Sequence, residues 1–133
     1  HNFGTTVTRA GTGADTFKIA LYTSSSTMSA STTVYTTTNE ITNTSGTAYS
    51  AGGQALTISQ VPTTSGTTAY LSFGTATWNT ASFTANGALI YNSTQGNRAV
   101  AILAFGSDKT VSSGTFQIQF PTADATNAII RIQ

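Results

Sequence analysis

Few side chains in this chain are equipped for chemistry. The only histidine is His1, cysteine is absent, and the acids number four: Asp15, Glu40, Asp108 and Asp124. Glycoside hydrolysis needs two carboxyl groups facing each other across the scissile bond. These four acids all fall in stretches that read as loops, where a solvated acid is ordinary. Serine is abundant, but no serine stands in the Gly-x-Ser-x-Gly pattern that presents a nucleophile at a strand-to-helix turn. Asp108 and Asp124 match no calcium-loop pattern and read as turn and cap residues. The sequence therefore assigns no catalytic, cofactor-binding or metal-binding residue, and no cofactor is expected. Two glycosylation-type triplets, Asn43-Thr44-Ser45 and Asn92-Ser93-Thr94, are no more than chance supplies in so hydroxyl-rich a chain. Trp78 and the tyrosines read as core or interface aromatics rather than a sugar-stacking platform.

The elements that must position these groups are strands. At 133 residues the chain is one domain with room for a real core. Charged residues make up 7% of it, far below the roughly 25% usual for soluble domains. Roughly a third of the residues are Thr or Ser, and the branched Cβ of Thr suits a pleated surface. The polar faces are thus hydroxyl faces. A net charge of +1 spread over scattered basic residues carries no nucleic-acid footprint. No apolar run is long enough to span a bilayer as a helix. Neither a nucleic acid nor a membrane is expected as partner.

The organising stretch is Gly87–Gly106: GALIYN, the polar loop STQGN, then RAVAILAFG. It predicts a hairpin apolar on both faces, central and covered on both sides. Ile102 and Leu103 should face opposite layers of a buried central strand. Thr16–Thr23 predicts a strand with Phe17, Ile19 and Leu21 on one face and Lys18, Ala20 and Tyr22 on the other. Gln54–Val61 predicts another, ended by Pro62. A short strand is expected at Val34–Tyr35, and Gly52-Gly53 reads as a flexible pair. Asn86-Gly87 fits either a type I′ turn or a glycine bulge within one longer strand. Ser107–Gly114 reads as a turn. Thr115–Phe120 alternates, with Phe116, Ile118 and Phe120 inward and Gln117 and Gln119 outward. Ala128–Gln133 closes the chain, and no window shows helical periodicity. The expected fold is all-β: a single antiparallel β-sandwich, of jelly-roll or immunoglobulin-like type, with about seven to nine strands. It spans residues 16–133, behind an N-terminal arm of residues 1–15.

The phrases HNFG at His1–Gly4, FKIALYT at Phe17–Thr23, YSAGG at Tyr49–Gly53, GALIYN and RAVAILAFG, in that order, resemble a family of small virion structural proteins of tailed bacteriophages. The resemblance covers most of the chain, and its motifs are structural. In that family a short segment precedes the HNFG phrase. The resemblance implies a non-enzymatic virion component. The leading expectation is a capsid decoration (cement) protein on the outer surface of the virion, bound to the major capsid protein. Alternatives are a tail or fibre component with a host-binding role, or a secreted sugar-binding or adhesin sandwich. The arm has only Phe3 and Val7 as bulky apolar residues, too few for a core of its own. His1, Asn2, Phe3, Val7 and Arg9 are therefore the candidate assembly contacts, expected to lie on other copies of the chain, a trimer by analogy with other decoration proteins, or on the shell.

Overall fold

The computed structural model describes residues 1–4, 14–42 and 44–133. Among them are seven strands: β1 (Phe17–Tyr22), β2 (Gln54–Leu56), β3 (Ile58–Ser65), β4 (Thr68–Phe73), β5 (Ala76–Asn92), β6 (Arg98–Ile118) and β7 (Ile130–Ile132). One sheet runs β2-β1-β5-β6 and the other β3-β4-β7. Every pairing is antiparallel. The fold is the expected all-β sandwich.

The alternation along β1 builds two cores. Phe17, Ile19 and Leu21 meet Ala88 and Ile90 of β5 and Leu71 and Phe73 of β4 in the main core between the sheets. On the other face, Ala20, Tyr22, Leu89 and Tyr91 are sealed by Met28 and Tyr35 from the β1–β2 connection and by Ala99 and Ile102 of β6. The second cover is thus a loop, not a sheet.

The hairpin is present and longer than expected, but its two strands differ in position. β1 pairs with β5 from Phe17↔Asn92 to Tyr22↔Gly87. That pairing makes β5 the central strand and leaves β6 at the edge. Leu89 and Ile90 are fully buried, whereas Val100, Ile102, Leu103 and Phe105 are only half-buried. Ile102 and Leu103 do face opposite layers, but on an edge strand.

Asn86-Gly87 is not a turn. β5 runs through it, and the ladder slips between Ala85 and Gly87. A Cβ at Gly87 would lie 2.9 Å from the Leu103 carbonyl oxygen, so the close strand approach there requires glycine. Ser107–Gly114 is likewise strand, within β6. The expected single strand over 54–61 breaks at Thr57 and crosses from one sheet to the other. Pro62 sits inside β3, an edge strand, where its missing N–H costs no ladder bond on the open side. Val34 makes only an isolated bridge to Arg98. Thr122–Asn127 contributes one turn, closed by the Ala128 N–H on the Asp124 carbonyl at 3.1 Å.

The first residues of the arm have a seat on their own sandwich. The Phe3 ring stacks on Phe17 at 4.7 Å and meets Phe73 edge-on at 6.3 Å. That seat is formed by Phe17 of β1 and Phe73 of β4, within the chain itself. Val7 and Arg9 lie outside the described residues.

Candidate assembly surface

The long hairpin leaves apolar side chains that its own fold only half covers. Phe105, Phe116 and Ile118 of β6 line a shallow open groove, with Lys109, Gln117 and Gln119 at its rim. Phe116 is anchored from beneath by Phe83 at 5.1 Å and Trp78 at 6.0 Å, and Phe105 lies 6.3 Å from Phe116. The expected inward alternation of Phe116 and Ile118 is present, yet each remains partly exposed because, among the described residues, no strand lies beyond β6. Trp78 itself is 6% exposed, so it is core and offers no stacking platform.

The backbone edge of β6 is poorly suited to strand addition. Residues 105–108 stand opposite Asn86 alone, and residues 112 and 113 opposite Ser82. Gly106 at φ 75° and Ser113 at φ 47° make these bulges. At its start, the Ala99 N–H bonds the Thr33 carbonyl at 2.9 Å, and the Tyr35 N–H bonds the Asn97 carbonyl at 2.9 Å. Bulges and a covering loop protect an edge against unwanted pairing. A partner of this strand therefore meets side chains on its face, not a free ladder.

Two of the four acids are not the solvated loop residues expected. Asp15 is 8% exposed and Glu40 9%. Glu40 Oε1 accepts the Tyr49 hydroxyl at 2.7 Å and the Gly52 N–H at 2.7 Å, and Oε2 accepts the Tyr35 hydroxyl at 2.6 Å. The Tyr91 hydroxyl donates to the Gly52 carbonyl at 2.8 Å, and the Leu21 N–H donates to the Tyr49 oxygen at 2.9 Å. Gly52-Gly53, read as flexible, is fixed. Gly53 has φ 67°, and a Cβ there would collide with the Ile19 carbonyl. Asp15 is satisfied by other partners: Asn92 Nδ2 at 2.7 Å, the Asn2 N–H at 2.6 Å and Gln95 Nε2 at 3.2 Å. Glu40 bridges to Tyr22 at the far end of β1 from Asp15, and a strand rise of about 3.3 Å per residue separates the two acids by roughly 20 Å. They do not face each other across a common site. Asp108 is exposed and Asp124 partly so. Asp108 accepts from Asn86 Nδ2 at 2.8 Å. The Asn127 side chain, with the Thr126 and Asn127 N–H groups, holds the Asp124 carboxyl below the usual range. Among the described residues no group of three or more His, Cys, Asp or Glu comes together as a metal site. Asn92 is fully buried, so its glycosylation triplet is closed in the folded chain; Asn43 lies outside the described residues.

Glu40 leaves a mark on the tyrosines. Burial, and then the hydrogen bond to the carboxylate, push Tyr35 and Tyr49 well above the usual phenol range. Burial and the charge of Glu40 raise Tyr22 likewise and push Tyr91 up to about 12. A raised pKa means that the unfolded chain loses its phenol protons first, near pH ~10. The stabilisation is complete below that value and is lost as pH rises through the folded values. A titration of phenolate absorbance is expected to show these four tyrosines un-ionised in the folded protein at about pH 11, ionising together with unfolding. Smooth ionisation of all tyrosines near pH ~10 in a protein that stays folded would refute the network.

Of the candidate contacts, the structure brings His1, Asn2 and Phe3 together on the Asp15–Asn92 corner and on Phe17. The β6 groove lies on the hairpin instead and was not among the sequence candidates. Its signal was present in Phe105, Phe116 and Ile118, but each read as core. No protein-family model, curated protein or solved structure matches the chain.

Proposed function

We propose that this chain is a non-enzymatic structural protein of a bacteriophage virion: a capsid decoration protein that sits on the outer surface and stabilises the shell of major capsid protein. It would act in several copies, a trimer by analogy with other decoration proteins. The ordered phrases from HNFG to RAVAILAFG point to that family. The observation that carries the reading is the half-covered apolar groove of β6, Phe105, Phe116 and Ile118, on a sandwich with 7% charged residues. Such a surface favours close contact with a large, fixed neighbour, because little charge must be desolvated when it docks.

Gln117→Asp tests this. Gln117 is exposed at the groove rim, where its side-chain amide donates to Thr77 Oγ1 at 3.3 Å, so the substitution should move the melting temperature by no more than about 4 °C. It places a charge against any partner of the groove. Sedimentation with undecorated shells is expected to retain the wild-type protein and to lose the variant by about tenfold or more in affinity. Equal binding by both proteins would contradict the use of this face. Failure of the wild-type protein to bind shells at all would contradict the decoration role itself.

A further inference from the structure

Among the described residues that line the β6 groove, only Lys109 is charged; its companions at the rim, Gln117 and Gln119, are neutral. Lys109 Nζ donates to Ser107 Oγ at 2.9 Å, and no acid among the described residues pairs with it. Asp108, its neighbour in the chain, accepts from Asn86 Nδ2 at 2.8 Å instead. An ammonium has three hydrogens to donate, and Ser107 takes one. Lys109 is exposed, so the other two are left to solvent. A partner seated on Phe105, Phe116 and Ile118 thins that solvent, and a cation losing water is best compensated by an anion. The groove supplies no carboxylate, so the partner that fits it best brings its own.

We propose that the groove docks an acidic–apolar segment of the major capsid protein: a large apolar side chain laid on Phe105, Phe116 and Ile118, with an Asp or Glu carboxylate beside it against Lys109. The identity of this partner rests on the decoration role; the charge preference rests on the groove alone. Apolar contact supplies the seat, and the single cation selects among apolar surfaces and sets the register of docking.

Two substitutions at Gln117, on the same rim, read the sign of the partner. Gln117→Lys adds a second cation and should bind undecorated shells at least as tightly as the wild-type protein, whereas Gln117→Asp loses about tenfold. A purely apolar partner would be weakened by both, since either charge must be desolvated. Equal loss in the two variants would overturn the acidic partner. A pair of small probes tests the groove without the shell. Phenylbutanoate and phenylbutylammonium share an apolar body and differ in charge. Trp78 is the only tryptophan, 6% exposed and 6.0 Å from Phe116. Its indole N–H and the amides of residues 116–119 therefore report occupancy in an NMR titration. The carboxylate is expected to bind about fivefold more tightly than the ammonium, and Lys109→Gln to abolish the difference. Equal affinities in the wild-type protein, no shift with either probe, or a preference that survives in Lys109→Gln would overturn the proposal. Preference for the carboxylate in a protein that ignores shells would refute the decoration role, and with it the shell as partner, while upholding the charge preference of the groove.

Discussion

Ile90→Asp is expected to leave no folded protein. Ile90 is fully buried in the central strand, paired with Ile19 on one side and Ala101 on the other. An aspartate there is a charge without a partner in the main core, at a cost of about 5 kcal/mol or more. That is comparable to the whole stability of a domain this size, about 5–15 kcal/mol. Ile102→Asp is the informative contrast. Ile102 is half-buried on the edge strand, and its carboxylate can turn to water, so the loss should be about 1–3 kcal/mol. Urea unfolding followed by circular dichroism measures both. Equal losses at the two positions would contradict the placing of β5 at the centre of the sheet and β6 at its edge.

Glu40→Ala should be nearly as damaging, although it removes no apolar surface of note. It strands three donors at once: the Tyr35 and Tyr49 hydroxyls and the Gly52 N–H. At about 1–3 kcal/mol for each buried donor left without a partner, less whatever water recovers, the loss is about 3–6 kcal/mol. Glu40→Gln keeps the shape and one acceptor oxygen and should cost about 1–2 kcal/mol, since Tyr35 can turn to accept from the new amide. If alanine is tolerated as well as glutamine in urea unfolding, the network contributes nothing to stability.

The strands of this protein are legible because their signal is local. The alternation of Phe17, Ile19 and Leu21 against Ala20 and Tyr22 reads directly as two faces, and both are buried as that pattern requires. Which of two apolar neighbours is central cannot be read in the same way. GALIYN and RAVAILAFG have similar composition, and the difference arises only when β1 pairs with one of them. Ser107–Gly114 reads as a turn because Ser107, Asp108 and Gly114 carry turn chemistry, yet it is strand within β6, flanked by bulges at 105–108 and 112–113 that use the same residue types. The polar networks were hidden for a further reason. Asp15 finds Asn92 across 77 positions, and no local pattern marks either as buried. Glu40 lies only 9 residues from Tyr49, but in a Thr-rich loop whose path is set by its crossing of the β1–β5 face.

If the chain is the decoration protein proposed above, its place in the virion tests that role most directly. An image reconstruction of the virion, fine enough to trace strands, is predicted to place the sandwich at icosahedrally equivalent positions on the outer surface, with Phe105, Phe116 and Ile118 turned onto the major capsid protein. Density for the chain in the tail alone, or on the shell with that groove open to solvent, would contradict it.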